Sequence, residues 1–226
     1  MSNLSTLLYI IRHGESVSNV FSEESSEYHN QWGELESPLT KQGEKQVEQR
    51  AKELRYINFA AIFSSDLTRA VQTAEIIAFE QQLTIETTQR IRERKTWPYI
   101  TKPGDENTSK ERIEEAIEKE LQKLNEKEKM AYKYHVSMES AEEAANRFLT
   151  FLREITISYQ GKTVLVVNHG NNIRSLLTYL GYATFGELQE GAIEYTAYLV
   201  LESDGIDFSI KKISGVKKTQ KITTTL

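Results

Sequence analysis

The chain of 226 residues contains no cysteine, and this absence narrows its chemistry. Without thiols, a disulfide, a cysteine nucleophile and a cysteine-ligated metal are all excluded. The four histidines show no H-x-x-x-H spacing of the kind that places two metal ligands on one helix face. We therefore expect a protein that works without a metal or other cofactor, and the lack of cysteine is compatible with a reducing compartment.

Long apolar runs are also lacking. The run at residues 7–11 has five residues, whereas a helix needs about 20 to cross a bilayer. The residues before it carry no basic cluster typical of a signal peptide. We therefore expect no membrane partner and a cytoplasmic location. A net charge of −5 offers no basic surface for nucleic acid. The composition, 38% hydrophobic and 27% charged, favours a single globular domain over residues 1–226.

The first apolar segment ends abruptly in a cation and an imidazole. Residues 7–11, Leu-Leu-Tyr-Ile-Ile, predict a strand that is buried on both faces. Arg12 and His13 follow directly. Ligands of open α/β sheets bind beyond the carboxyl ends of the strands. Arg12 and His13 are therefore candidates for a binding or catalytic site.

Two further segments bring basic groups to predicted strand ends. Residues 59–63 predict a second strand, and the helical pattern after it puts Arg69 in the first turn of a helix. Free N–H groups at a helix start attract anions, and a guanidinium fits phosphate with two parallel hydrogen bonds. Residues 163–168 predict a later buried strand that ends at His169. We expect these groups to converge with His13 on an anion.

The segment between Arg69 and His169 contains a charge-dense stretch. Residues 111–129 predict one amphipathic helix within an insertion over residues 95–137. We interpret the insertion either as a helical segment packed on the domain or as a lid. Tyr132, Tyr134 and His135 near its end are candidates for lining a substrate pocket.

The remaining predicted elements are a strand, a hairpin and a loop. Residues 83–87 predict a third strand, because apolar and polar residues alternate there. Residues 193–201 and 206–213 predict a hairpin that turns at Ser-Asp-Gly. Residues 21–36 are polar and lack helical periodicity, and we interpret them as a loop over the entrance of the site.

These motifs resemble those of a known family. Residues 12–15, Arg-His-Gly-Glu, are the motif of the histidine phosphatase superfamily, also called the phosphoglycerate mutase-like family. The family's Ser-x-x-x-Arg-Ala-x-x-Thr-Ala pattern matches residues 65–74, and its second histidine motif, usually Ser-His-Gly, is similar to Asn-His-Gly at residues 168–170. The resemblance covers about residues 7–201. It implies an α/β fold: a three-layer αβα sandwich with a mostly parallel central sheet and a helical insertion.

The resemblance also implies roles for particular residues. In the family, the histidine of the first motif carries the phosphoryl group, which makes His13 the nucleophile. Glu93 fits the position of the family's general acid, although the following residues lack the two glycines of the family's Gly-x-Trp-Glu-Gly. The residues with an implied role in binding and stabilising the phosphoryl group are Arg12, Asn19, Arg69, His169 and Gly170.

The implied activity is hydrolysis of a small phosphorylated substrate through a phosphohistidine, without a metal. Two alternatives stay open, namely a phosphoglycerate mutase and a catalytically weak regulatory module on the same fold. Mutases of the family usually carry a longer insertion with a Pro-rich segment, whereas this chain has no proline after Pro103. Whether the chain forms a homodimer is also left open.

Overall fold

The computed structural model describes residues 4–20, 37–96 and 110–219. The predicted loop at 21–36 lies outside these residues. The helices and strands in the described ranges follow one another as β1 (Thr6–Arg12), α1 (Val17–Val20), α2 (Lys41–Leu54), β2 (Ala61–Ser65), α3 (Thr68–Gln81), β3 (Ile85–Thr88), a 3₁₀ turn (Gln89–Ile91), α4 (Lys110–Leu121), α5 (Glu126–Ala131), α6 (Ala141–Ser158), β4 (Thr163–Asn168), α7 (Gly170–Tyr179), β5 (Ile193–Ser203) and β6 (Phe208–Val216).

The strands form one six-stranded sheet in the order β3-β2-β4-β1-β5-β6. Pairing is parallel from β3 to β1, whereas β5 and β6 add to it as antiparallel strands. The register sets Arg12 opposite Asn168, so that β1 and β4 end at the same level. The backbone N–H of His13 continues the ladder with a 3.0 Å bond to the Asn168 carbonyl. The residues that follow both strands therefore emerge side by side.

Helices cover both faces of the sheet and give the predicted three layers. On one face α2 and α3 pack over a core that includes Ile11 and Val167. On the other face α6 and α7 pack over a core that includes Ile10 and Val166. Successive side chains of a strand point to opposite faces, which is why the central strands have unbroken apolar sequences. The α/β fold class and the mostly parallel sheet are confirmed.

The observed strand bounds differ from those predicted at residues 59–63 and 83–87. The strands β2 and β3 each begin two residues later than predicted, and β2 continues through Ser64 and Ser65. Both serines are fully buried and pair with β3. Hydrophobic patterning ends a strand at its first polar residues, whereas the backbone ladder continues through them. The hydroxyl of Ser64 is satisfied locally by a 2.8 Å bond to the Ser65 carbonyl.

The turn of the predicted hairpin is longer than expected. The second strand begins at Phe208, and residues 206 and 207 belong to the turn. The carboxylate of Asp204 accepts hydrogen bonds from the backbone N–H groups of Ile206 and Asp207, each 2.9 Å long. A side chain that binds its own turn in this way holds the backbone out of the ladder.

The single helix predicted over residues 111–129 is wrong, because the structure breaks it into α4 and α5. Asn125 caps α5 through a reciprocal pair of bonds: its side chain accepts from the Glu128 N–H, and the Glu128 carboxylate accepts from the Asn125 N–H. Asparagine is among the strongest N-caps. The apolar stripe runs across the break and conceals it in the sequence.

The described part of the insertion is attached to the domain. The Glu126 carboxylate accepts a 3.2 Å bond from the Gly186 N–H, and Lys133 forms a 2.8 Å salt bridge with Glu143. The backbones of Lys95 and Glu139 are joined by a 2.8 Å hydrogen bond, so the chain leaves and rejoins the domain at one point. The first interpretation of the insertion, a helical segment packed on the domain, therefore holds for α5. The second interpretation, closure as a lid, stays a prediction. Among the described residues, no helix is long and apolar enough to cross a membrane.

The start of α2 makes a close backbone contact with the loop that carries His13. The Thr40 N–H donates a 3.0 Å bond to the Glu15 carbonyl. A Cβ atom added to Gly43 would lie 2.0 Å from that carbonyl oxygen. Only glycine fits at this approach, so the position of the loop depends on Gly43.

We expect Gly43→Ala to lower the free energy of unfolding. A helical Gly→Ala change normally stabilises by up to about 1 kcal/mol, but here the clash with rigid backbone should reverse the sign and cost about 1–3 kcal/mol. Urea unfolding would measure it. Gly186→Ala, in the turn between α7 and β5, is the control for an added methyl group without a backbone clash, because its Cβ would meet only the Glu126 carboxylate, at 3.6 Å. Equal stability of the two variants would contradict the expectation.

Candidate active site

The structure brings three of the predicted basic segments together. Arg12 and His13 follow β1, Arg69 is the second residue of α3, and His169 caps α7. The Arg69 Nε atom lies 3.3 Å from His13 Nε2. The ring centroids of His13 and His169 are 5.2 Å apart. Arg12, His13, Arg69 and Glu93 line one cavity of about 240 Å³, whereas His169 is fully buried beside it.

Hydrogen bonds assign the tautomer of His13. Its Nδ1 atom lies 2.7 Å from the Gly14 carbonyl oxygen, and a carbonyl can only accept. Nδ1 therefore carries the proton, and the lone pair of Nε2 accepts a 3.3 Å hydrogen bond from the Arg69 Nε–H. Burial, followed by the charges of Arg69 and Arg12, holds the pKa of His13 well below its usual value. His13 is a neutral imidazole with one basic nitrogen at the cavity.

Arg12 is held in a fixed orientation by three neighbours. One Nη atom donates to the Ile193 carbonyl, and the guanidinium lies 4.4 Å from the centre of the Tyr195 ring. On its other flank is Gly170, where a Cβ would come within 3.2 Å of the Arg12 Nε. Gly170 therefore makes room for the cation. Burial lowers the pKa of Arg12, against the opposing effects of Tyr195 and Glu93.

A single hydroxyl joins the loop that carries His13 to the first turn of α3, which carries Arg69. Thr73 accepts a 3.2 Å bond from the Gly14 N–H and donates a 2.8 Å bond to the Arg69 carbonyl. It is fully buried. The threonine of the predicted 65–74 pattern thus fixes the end of β1 relative to the start of α3.

His169 has no hydrogen-bond partner for either ring nitrogen within the part of the chain that the structure describes. Burial, followed by the charge of Arg69, keeps its pKa well below the usual value. The adjacent Asn168 takes the place of the family's serine. Its amide oxygen accepts a 2.7 Å bond from the His169 N–H and a 2.9 Å bond from the Asn172 side chain. The turn from β4 into α7 is therefore fixed, while the imidazole keeps its bonding capacity.

Glu93 is placed against the start of α7. Its carboxylate accepts 3.2 Å bonds from the backbone N–H groups of Asn171 and Asn172 and a 2.8 Å bond from that of Arg94. These bonds and the nearby guanidinium groups favour the ionised form, but loss of solvent is the larger effect and raises the pKa of Glu93. A half-buried carboxyl with a raised pKa can hold a proton to donate.

Two residues that position Glu93 were missed at the level of sequence. Asp66 forms a bidentate salt bridge with Arg92, with bonds of 2.7 and 2.5 Å. The buried Asn172 side chain donates to the Arg92 carbonyl at 2.7 Å and to that of Ile91 at 3.2 Å. In the sequence, Asn172 could have been noticed as a polar residue beside the apolar positions of α7.

The other predicted site residues divide into two groups. Asn19 lines the cavity, and its amide oxygen accepts bonds from the N–H and hydroxyl of Ser16 at 3.1 and 2.7 Å. Tyr132, Tyr134 and His135 are not among the residues that line the cavity. His135 bonds locally instead, because its Nδ1 accepts from the Ser137 N–H. The interpretation of those three as pocket residues is therefore wrong.

Comparison with known proteins agrees with this arrangement. A family model described as the histidine phosphatase superfamily (branch 1) matches residues 8–214. The chain therefore belongs to the histidine phosphatase superfamily. Its members include phosphatases and mutases, which are phosphoryl-transfer enzymes.

Among the individual relatives, some are named as mutases and others as phosphatases. A probable phosphoglycerate mutase GpmB of Proteus mirabilis is 38% identical over 86 residues, 38% of this chain and 37% of that protein. The matched stretch thus spans less than half of that relative. The uncharacterized phosphatase PhoE of Bacillus subtilis is 28% identical over 173 residues, 76% of each chain. The structure of Bacillus stearothermophilus YhfR matches with a TM-score of 0.69 and 26% identity, covering 93% of this chain and 97% of the other.

We expect the free energy of unfolding to fall as the pH drops below about 6.5. An unfolded histidine takes up a proton near that pH, whereas folded His13 and His169 stay neutral. The unfolded state then binds more protons, so stability rises with pH through this window and is fully present above it. Each histidine contributes a slope of up to about 1.4 kcal/mol per pH unit.

Urea unfolding at several pH values would measure this slope. His13→Gln should reduce the slope by the contribution of one histidine, which is up to about 1.4 kcal/mol per pH unit. His135→Gln, which removes an imidazole outside the cavity, shows what loss of any histidine does. An unchanged slope in His13→Gln would show that the imidazole is charged in the folded protein.

Proposed function

We propose that this protein is a phosphomonoester phosphatase that acts on a small phosphorylated metabolite through a phosphohistidine on His13. The observation that carries the proposal is the geometry of His13. Its Nδ1 donates to a backbone carbonyl, so the Nε2 lone pair faces the Arg69 Nε–H, from which it accepts a hydrogen bond, in a cavity that Arg12 also lines. A neutral, oriented imidazole next to two cations suits attack on a phosphoryl dianion.

In the first step, the Arg69 Nε–H transfers its hydrogen bond from His13 Nε2 to a phosphoryl oxygen, and the released Nε2 lone pair attacks phosphorus. The bond from phosphorus to the ester oxygen breaks. Protonated Glu93 gives its proton to the departing oxygen, for which its raised pKa is suited. Arg12 and Arg69 stabilise the negative charge on the equatorial oxygens. His169, whose ring nitrogens have no partner in the described chain, can donate one N–H to the same oxygens.

In the second step, water replaces the leaving group. Ionised Glu93 accepts a proton from the water, whose oxygen attacks the phosphorus of phosphohistidine. The N–P bond breaks, phosphate leaves, and both His13 and protonated Glu93 are restored. The cationic side chains supply the charge stabilisation that a divalent metal supplies in other phosphoryl-transfer sites.

A mutase is the second candidate, and the name of the Proteus mirabilis relative favours it. A mutase must keep the phosphoryl group on histidine and exclude water until a second hydroxyl accepts it. Activity that depends on 2,3-bisphosphoglycerate would identify a mutase. A regulatory module would show no turnover at all. The cytoplasmic location, and the exclusion of nucleic-acid and membrane partners, stay predictions from composition, and homodimer formation stays open.

The function is tested by screening phosphorylated metabolites for phosphate release in the presence of EDTA. We expect turnover without added metal, and an acid-labile phosphoenzyme in rapidly quenched reactions. His13→Ala should abolish both while the thermal unfolding midpoint shows that the fold survives. Appreciable turnover by folded His13→Ala, or activity that returns only with a divalent ion, would contradict the proposal.

The role of Glu93 is tested by the leaving group. An alkoxide needs a proton to leave, whereas a nitrophenolate hardly does. Glu93→Gln should therefore slow phosphorylation of His13 by an alkyl phosphate by about 10²–10⁴-fold, and by an aryl phosphate far less. The variant should also accumulate phosphohistidine, because its second step lacks a base.

Single-turnover kinetics on an alkyl and an aryl substrate would separate these steps. Glu154→Gln is the control for loss of a carboxylate, because Glu154 is an exposed residue of α6 that pairs with Arg90. Equal losses on the two substrates, with no trapped phosphoenzyme, would mean that another group is the acid.

A further inference from the structure

One cation of the cavity has no part in the mechanism above. Arg174 lies on α7 and lines the same cavity as Arg12 and His13. Its guanidinium lies 4.3 Å from the centre of the Phe185 ring, and one Nη atom donates a 3.3 Å bond to the Phe185 carbonyl. The side chain is therefore held in place from one side.

One buried donor of Arg174 is left without a partner among the described residues. Its Nε is buried and has no hydrogen-bond partner in the described part of the chain. Within those residues, Arg174 also forms no salt bridge. Buried polar groups of folded proteins almost always have partners, and a guanidinium has five donors to satisfy. An immobilised cation with spare donors in a cavity is suited to an anionic ligand.

A second guanidinium, that of Arg94, lies behind the cavity wall, near enough to Arg174 for the two charges to interact. Arg94 follows Glu93 and is fixed by a 2.9 Å bond from its Nε to the Glu139 carbonyl. Burial and the neighbouring charge of Arg174 lower the pKa of Arg94 to about 10. Carboxylates oppose both cations: Glu93, Glu139 and Glu143 act on Arg94, and Glu190, exposed at the edge of the cavity, acts on Arg174. An anion bound at Arg174 would relieve the repulsion between the two guanidinium groups.

The spacing along α7 links this cation to the phosphoryl site. Gly170 flanks Arg12 at the start of the helix, and Arg174 follows four residues later. Residues four apart share a helix face and are separated by about 6 Å along the axis. The two anchoring points therefore suit a small molecule whose phosphate and second anionic group are a few bonds apart.

We propose that Arg174, supported by Arg94, is a second anion-binding site of the substrate cavity and selects phosphomonoesters that carry another anionic group. That group is a carboxylate or a second phosphate, since the guanidinium fork fits both. The inference rests on the proposed phosphatase function at His13 and adds a substrate class to it.

The test compares substrates that differ only in the second group. The carboxylate pair is 3-phosphoglycerate against glycerol 3-phosphate, and the phosphate pair is fructose 1,6-bisphosphate against fructose 6-phosphate. The readout is the ratio of kcat/KM within each pair. We expect the wild type to favour the doubly anionic member of one pair, and Arg174→Gln to reduce that ratio about 10- to 100-fold. The substrate pair whose ratio falls in Arg174→Gln shows whether the second anionic group is a carboxylate or a phosphate.

Three further variants sharpen the test. Arg174→Lys keeps the charge but not the fork, and should give an intermediate ratio. Glu190→Gln should raise the ratio, because it removes the carboxylate that competes for Arg174. Arg153→Gln is the matched control: Arg153 also stacks on a phenylalanine, Phe208, but does not line the cavity. Its ratio should equal that of the wild type.

The outcomes separate the two proposals. Hydrolysis by the wild type with ratios that Arg174→Gln leaves unchanged in both pairs would overturn the second site and leave the phosphatase function standing. If the wild type hydrolyses none of the four compounds, the same ratios are measured as dissociation constants on the His13→Ala variant. Binding of each doubly anionic compound no tighter than its partner would then overturn the inference.

Discussion

Four basic groups crowded at one edge of a sheet set the constraint on which the rest of this structure depends. Arg69, His13 and His169 are buried and Arg12 is half-buried, in a protein whose net charge is −5. Desolvated cations are costly unless they are compensated. Here the cost is limited because both imidazoles stay neutral. In the proposed function, a bound phosphoryl dianion would supply the remaining compensation for the two guanidinium groups.

The surroundings hold this arrangement through short polar links between different strand ends. Thr73 joins the end of β1 to α3, Asn168 joins β4 to the first turn of α7, and Asn172 joins α7 to the segment before Glu93. These bonds lie inside the fold, where an unsatisfied partner would be expensive. Rigidity of the site therefore comes from the contacts between loops, while the sheet only brings the loops near one another.

Much of this site could be predicted from residues 7–15 and 163–170. Buried parallel strands have unbroken apolar sequences, so their ends are sharp and the polar residues at those ends are easy to locate. The parallel topology then placed His13 beside His169. The same reasoning was two residues off for β2, because Ser64 and Ser65 continue the ladder as buried polar residues. The pattern of apolar residues along a strand does not show where its backbone pairing ends.

Other parts depend on contacts between distant segments. The position of Glu93 is set by N–H groups of Asn171 and Asn172, about eighty residues away, and no local pattern encodes that distance. The cavity role of Arg174 is equally hidden, since on α7 it reads as an ordinary helical arginine. The break at Asn125 was readable as an N-cap, but the apolar stripe that crosses it gave the stronger signal. Tertiary contacts decide such cases.

The hydrogen bond between the backbones of Lys95 and Glu139 has an evolutionary consequence. It closes the neck of the segment between them, only two residues beyond Glu93. Chain closure becomes costlier only slowly as a loop lengthens. Insertions, deletions and new sequences can therefore accumulate beyond the neck without moving the carboxylate on the other side of it. The fold can in this way diversify what it recognises while its reaction chemistry is inherited unchanged.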